Sequence, residues 1–494
     1  VAASKIKIII ICFWLSFFLS CHALSQENNA SPVRIQLNLP KVIQLALENS
    51  FEVQLAKYQA YIEQTNLAQA RSIFDTFLSA SSDYDYDRTE KSSSLSGSRV
   101  KSYGYSVGLE KKIPTGTEAS IIADSSKTSS DSSFVEINPG YQAQAQILLE
   151  QPLARNFFGL SDRSDIKMTK IDIKNSDSIS LDTIAETVYQ AQKVYWQLVL
   201  AKRRLEIRKQ MLAEAQKLYE VYQKKRRLGL VEEPELLAVK ALVKQRNSDI
   251  QLSLLEVDNN KNELLYLLNI GSFKDQVIVD DNLRSEKKQL RLTDLLTQAI
   301  NNRRDYQRIK NDIEKNKLNL VVKKNALWPE LDLTATFIRN NIEGTTDAAW
   351  NKIEDQSNDQ IVVGIKFKVP LEQNKEKAQL KAARLNKSSL LLALKKAERN
   401  ILKEINNKFK QAKSYSSQID LYQQIVVIHE DKLRQQVQRI NRGRSDADTL
   451  VRYEQDLLDA RLGLAKAWYD YRISLLELEI AQNILLDKYW QGSL

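Results

Sequence analysis

The stretch RRLGLVEEPELLAVK, Arg226 to Lys240, decides how this chain is read. Helix-forming residues flank it on both sides, yet Gly229 and Pro234 belong to the two residue types least tolerated inside a helix. A second break, NRGRSDADTLVRYE from Asn441 to Glu454, sets Gly443 214 positions after Gly229. Two matching breaks predict two turns, each joining a pair of long helices. Pro234 suits such a turn, because the first turn of an outgoing helix accepts proline.

Outward from the breaks, apolar residues recur every seven positions. Before the first break the ladder is Ala191, Leu198, Leu205, Leu212 and Tyr219, and after it Leu236, Val243, Ile250, Val257 and Leu264. Shifted by 214, the same ladders read Ile405, Ala412, Ile419, Val426 and Leu433, then Leu450, Leu457, Leu464, Tyr471 and Leu478. A seven-residue apolar period imposes left-handed supercoiling of packed helices. Small residues at Ala460, Ala467 and Ser474, in step with Tyr453, suit close helix approach. The run from about Ser180 to Leu228 would reach ~75 Å at 1.5 Å per residue, so such rods must lie against other rods.

The landmarks come twice in the same order. LNLPKVIQLALENS (Leu37 to Ser50) is echoed by LRLTDLLTQAINNR (Leu290 to Arg303), and EQPLARN (Glu150 to Asn156) by KVPLEQN (Lys368 to Asn374). The expected organisation is a signal segment over 1–25 and a first repeat over 26–270, with helices in 38–73, strands over about 77–151 and long helices over 162–228 and 232–269. A connector over 271–289 follows. The second repeat covers 290–486, with a helix over 292–327, strands over about 331–369 and long helices over 373–441 and 446–486, ahead of a tail over 487–494.

Between helices the period falls to two. Tyr103, Tyr105, Val107 and Leu109 alternate with Gly104, Ser106 and Gly108; Tyr141, Ala143, Ala145, Ile147 and Leu149 alternate with glutamines. In the second half Leu331, Leu333, Ala335 and Phe337 form one such series, and Ile361, Val363, Ile365, Phe367 and Val369 another. FLSASSDYDYD and EASIIAD alternate more weakly. Segments of about 9–11 residues with one apolar face suit tilted membrane strands, and a half-buried soluble sheet shows the same pattern. Strands in lipid cannot leave an open edge. Six strands fall short of the smallest usual barrel of eight, so several copies would have to share one barrel.

The 494 residues are 27% charged and 43% hydrophobic, with 13 Gly and 8 Pro, which points to long uninterrupted elements. Lys5 and Lys7 precede the apolar run Ile8 to Leu19, too short for a membrane helix and suited to a secretory signal cleaved near Ser25. The rival is acylation at Cys21, against which Phe18 stands as a poor residue three places earlier. Both cysteines, Cys12 and Cys21, lie in this segment, so no disulfide or cysteine metal site is expected beyond it. The net charge of +10 is spread along helices, which reads as solvated faces, and no nucleic-acid partner is expected in an exported chain. The histidines are His22 and His429, and none of the metalloprotease, nucleophile-elbow, phosphate-loop or dinucleotide motifs occurs. Asp83, Asp85 and Asp87 have the spacing that opens a calcium loop, but Arg88 and Ser94 stand where its glycine and glutamate belong, so they read as one face of a strand. No enzyme, cofactor or metal site is expected.

Taken together, the signal, the two repeats, the alternating strands and the glycine-broken heptads resemble the TolC-like outer-membrane efflux family. The resemblance runs from about Leu37 to Leu486 and is most specific in GLVEEPELLAVKALVKQR at the first break. It implies an α+β fold: a long antiparallel, heptad-packed α-helical barrel continuing a transmembrane β-barrel, built from two internal repeats and closed by homotrimerisation. It further implies an outer-membrane channel-tunnel with a periplasmic extension, the passive exit duct of a tripartite efflux pump or a type I secretion system. The partners would be a periplasmic adaptor, an inner-membrane pump or ABC transporter, and outer-membrane lipid. Gly229, Leu230 and Val231, with Gly443, Arg444 and Ser445, would face the adaptor. The tunnel entrance would carry Glu235, Asp446, Asp448, Thr449 and Arg452. Family members supply two strands per repeat, so that a trimer closes twelve. The first half here offers up to four around the turn Lys111 to Thr117, so either the barrel has more strands or the additional hairpin lies outside it, and the second reading is the one leaned to. The founding member has acids six and nine places beyond the second glycine, where Thr449 and Arg452 stand here. The alternative is a non-channel periplasmic or surface coiled-coil scaffold.

Overall fold

The computed structural model describes residues 34–91, 97–353, 358–441 and 446–489. The signal segment, with Cys12, Cys21 and His22, lies outside the described residues, as do Gly443, Arg444 and Ser445.

Element order follows the changes of period. β1 (Arg34–Leu37), α1 (Leu39–Asn49) and α2 (Phe51–Arg71) lead into β2 (Thr76–Asp87), β3 (Val100–Lys112), β4 (Glu118–Ser130) and β5 (Gly140–Pro152). Then come α3 (Leu160–Arg227), α4 (Glu233–Leu268) and β6 (Gln276–Val279). The second half runs α5 (Leu292–Asn302), α6 (Arg304–Asn325), β7 (Glu330–Glu343), α7 (Thr346–Asn351), β8 (Asp359–Lys368), α8 (Asn374–Asn441) and α9 (Ala447–Ala481). α3 and α8 are each 68 residues long, about 100 Å at 1.5 Å per residue. α4 has 36 residues and α9 has 35.

The chain divides into two units. One contains the described residues up to Ser50, with Ala191–Ser285 and Leu421–Tyr469. Here β1 and β6 pair in parallel from Arg34↔Gln276 to Leu37↔Val279. Asn38 caps α1 by accepting the Lys41 N–H at 3.0 Å, and α1 turns Val42, Ile43, Ala46 and Leu47 inward. Tyr195, Leu198, Met211, Leu264, Leu265 and Leu268 are among its fully buried side chains.

The other unit is Phe51–Gln190, Glu286–Asp420 and Asp470–Leu494. It holds one six-stranded antiparallel sheet in the order β2-β3-β4-β5-β7-β8. Of the two readings of the additional hairpin around Lys111 to Thr117, the one that sets it apart does not hold for the sheet: β3 and β4 pair without a break from Val100↔Ser130 to Lys112↔Glu118, and β5 continues the sheet beyond β4. Weak alternation in β4, where five of 13 residues are serine, left its place open, and backbone hydrogen bonds to β3 and β5 hold it in the sheet. Asp83, Asp85 and Asp87 lie on β2 as strand residues.

A single helix over 292–327 is also corrected. It breaks at Arg303, whose backbone is extended (φ −65°, ψ 116°). The asparagines before it are weak helix formers, and the side chain gains partners in the bent form. Arg303 donates to Asp305 at 2.8 and 3.0 Å, to Glu404 at 2.6 Å and to the Ala481 carbonyl at 3.3 Å. Ala299, Tyr306, Ile401, Ile405 and Ala481 pack into a core beside it.

Candidate functional site

The first turn is built from backbone hydrogen bonds. The Leu230 N–H donates to the Lys225 carbonyl at 2.9 Å and the Gly229 N–H to that of Arg226 at 3.0 Å. This pair of bonds wraps the end of α3 around a left-handed residue, and Gly229 supplies it with φ +70°. A Cβ there would meet nothing within 4 Å, so the glycine answers to backbone conformation and not to crowding. α4 starts beyond, with Pro234 in its first turn and the Glu232 N–H donating to the Glu235 carboxylate at 3.1 Å. Arg226 and Glu233 pair across the turn at 3.1 Å. Leu228 and Leu230 are left 72% and 67% exposed.

α9 starts in a similar way. Asp446 accepts the Thr449 N–H at 2.7 Å and the Thr449 hydroxyl at 3.1 Å. These bonds hold the Asp446 carboxyl below the usual carboxylate range, with the Arg452 charge helping. Asp448, exposed in the first turn of α9, opposes the positive end of the helix dipole. Arg452 is exposed, its guanidinium 5.8 Å from the Tyr453 ring centre. Lys432 lies 3.8 Å over the same ring and pairs with Asp456 at 2.7 Å.

Beneath the turns Tyr222, Val239, Leu433, Ile440, Ala447, Leu450 and Leu457 form one core, with Val231 packed against it. α3, α4, α8 and α9 each contribute to it. The Lys225 ammonium donates to the Ile440 carbonyl at 3.0 Å. The structure therefore brings Val231, Glu235, Asp446, Thr449 and the start of α9 to one end of these helices. Of the expected tip residues it describes Gly229, Leu230 and Val231.

A charged layer follows in the same unit, and the apolar ladders gave no sign of it. Arg246 on α4 is 1% exposed and donates to Gln455 at 2.9 Å, with Asp249 at 3.7 Å. Glu454 is 6% exposed, and burial, with Glu214 nearby, pushes its carboxyl up to about 7. Arg461 pairs with Glu430 at 2.9 Å and lies 3.7 Å from Glu214. The available signal was a second seven-residue series, Val239, Arg246 and Ser253 on α4 and Ala447, Glu454, Arg461 and Trp468 on α9, in which charge replaces apolar residues at inward positions.

This assembly of 68-residue helices and a six-stranded sheet is the fold of outer-membrane channels of known structure. The chain is similar to CusC at a TM-score of 0.70, with 15% identity, over 93% of this chain and 95% of that one. It is similar to the Campylobacter jejuni CmeC outer membrane channel at 0.65 with 17% identity, over 93% and 90%. It is likewise similar to VceC of Vibrio cholerae at 0.66 with 15% identity, over 90% and 96%. Residues 295–482 match the family model described as outer membrane efflux protein. The resemblance read from the sequence therefore stands: those residues match the family, and at least 90% of the chain has the fold of such channels. The sequence finds no match among curated proteins.

Proposed function

We propose that the protein is a homotrimeric channel-tunnel, the passive exit duct of a tripartite efflux pump or type I secretion system. Three copies share a barrel across the outer membrane, and their long helices form a periplasmic tunnel of two repeats per chain. A periplasmic adaptor docks at the turns, and an inner-membrane pump or ABC transporter supplies energy.

The observation that carries this reading is the exposed apolar face of the sheet. Leu78, Tyr105, Leu109, Ile121, Ile361 and Ile365 are each at least 47% exposed. Apolar area of this extent in water marks an interaction with lipid or protein. Among the described residues no helix is long and apolar enough to cross a membrane, which leaves the strands to do so. A coiled-coil scaffold offers no reason for such a sheet.

The exposed Leu228 and Leu230, on a turn with a capped glycine, are the side chains offered to an adaptor, together with Gly229, Val231, Gly443, Arg444 and Ser445. At the entrance Asp446, Asp448 and Glu235 bring negative charge, and Arg452 brings positive charge where the founding family member has an acid. Rings of like charge at a narrow mouth set ion preference.

Cell fractionation followed by electrophoresis without heating tests the assembly. A band in the outer-membrane fraction at three times the chain mass, collapsing to monomer on boiling, supports the reading. A monomer in the soluble periplasmic fraction contradicts it.

A further inference from the structure

The apolar face crosses every strand of the sheet. The register sets Leu78, Leu109, Ile121, Ile147, Phe337 and Ile361 level with one another. From that row the face does not run straight. On β2 it continues through Ala80 toward Tyr84 and Tyr86. On β8 it continues through Val363 and Ile365 to Phe367, and Val363 is level with Ala335, Leu149, Ala119, Lys111 and Thr76, on the opposite side of the row. A lipid-facing band that slides along the strands from one edge to the other is the stagger of strands tilted in a closed barrel.

The edges are the unfinished part. Among the described residues β2 pairs with β3 alone and β8 with β7 alone. In a run of six antiparallel strands the two outer ones point in opposite directions. The β8 edge of one copy therefore meets the β2 edge of another in antiparallel sense, head to tail, and the same contact repeats around a ring. Nothing in hydrocarbon satisfies an open edge.

We propose that each edge is taken by a second copy of this chain, β8 of one protomer pairing with β2 of the next, so that three six-stranded sheets close one barrel of 18 strands. This rests on the trimeric-duct reading and departs from the twelve strands that the family resemblance implies. The slide of the apolar band sets the seam: Ile361 on β8 falls near Tyr84 on β2, and Val363 near Ser82. With strands ~4.8 Å apart and tilted by ~40°, 18 strands give a backbone diameter of about 36 Å, against about 24 Å for twelve. The outer-membrane part then offers an aqueous bore of general-porin width and adds no sieve of its own.

Cysteine cross-linking in the full chain tests the seam. Ser82→Cys on β2 is combined in turn with Ile361→Cys, Val363→Cys, Ile365→Cys and Phe367→Cys on β8. A parallel series uses Ser125→Cys on β4, the edge strand if each copy gives the barrel only the continuous run β4-β5-β7-β8. The wild-type chain, whose own cysteines are Cys12 and Cys21, is the control. One or two neighbouring pairs of the Ser82 series are expected to give a covalent trimer on non-reducing gels, and the Ser125 series none. Covalent trimers through Ser125 overturn the 18-stranded barrel. Trimers fixed by glutaraldehyde, with no disulfide in either series, overturn the seam and leave the duct standing. A protein that stays monomeric throughout overturns both.

Discussion

The Leu230 N–H donates to the Lys225 carbonyl at 2.9 Å, closing α3 over Gly229. With φ at +70° and open space around it, Gly229 is replaceable in volume but not in conformation. Gly229→Ala is expected to destabilise the turn by about 1 kcal/mol, the cost of left-handed backbone for a residue with a Cβ. Gly229→Asn should cost less, because asparagine tolerates that region. Hydrogen exchange at the Leu230 amide reads the difference; equal protection in all three proteins would contradict the wrapped turn.

Glu454 gives the helical layer a pH dependence. Its carboxyl is raised from 4.5 to about 7 by burial. Between those values the folded chain keeps a proton that the unfolded chain has lost, so stability falls as pH rises from about 4.5 to 7 and is level above. The groups facing it are Arg246 from α4, Glu214 from α3 and Arg461 on its own helix. Glu454→Gln should remove this slope and stabilise the protein at pH 8 by about 1–3 kcal/mol. Thermal unfolding followed by helical circular dichroism at pH 5 and pH 8 checks it. If the difference between the two pH values is the same in wild type and variant, Glu454 does not titrate in this range.

Arg303 holds the break between α5 and α6 through Asp305, Glu404 and the Ala481 carbonyl. Arg303→Ala leaves two partly buried carboxylates without that partner and is expected to cost about 2–3 kcal/mol. Arg303→Lys should recover only part, since an ammonium cannot span the same forked set of acceptors. Denaturant midpoints for the three proteins order as wild type, Lys, Ala; full recovery by lysine would show that charge alone suffices.

Arg452 is exposed beside Tyr453, one helical turn and a half beyond the Asp446 cap. Arg452→Asp should raise the preference for cations over anions several-fold, because three such changes act together at one mouth. The reversal potential across a salt gradient measures it. An unchanged reversal potential would place Arg452 away from the conduction path.

Much of the fold was legible because its parts differ in period. Seven-residue ladders gave rods, two-residue alternation gave strands, and a glycine followed by a proline marked a turn. What escaped was set by contacts distant in sequence. The serines of β2 and β4 carry little alternation, so both read only weakly as strands, and their place in one sheet is set by pairing with β3 and, for β4, with β5 as well. The break at Arg303 depends on Glu404 and Ala481, 101 and 178 positions away. Arg246 and Glu454 looked like solvated charges because burial depends on which helix face is covered, and the apolar ladder alone understates how wide that face is.

Single-channel recording of the purified trimer in a planar bilayer tests the central claim most directly. Insertion in discrete steps, each with a stable conductance that persists in wild type and shifts its ion preference in Arg452→Asp, is the expected result. A trimer, purified from the outer membrane, that never raises the conductance of the bilayer would contradict the duct.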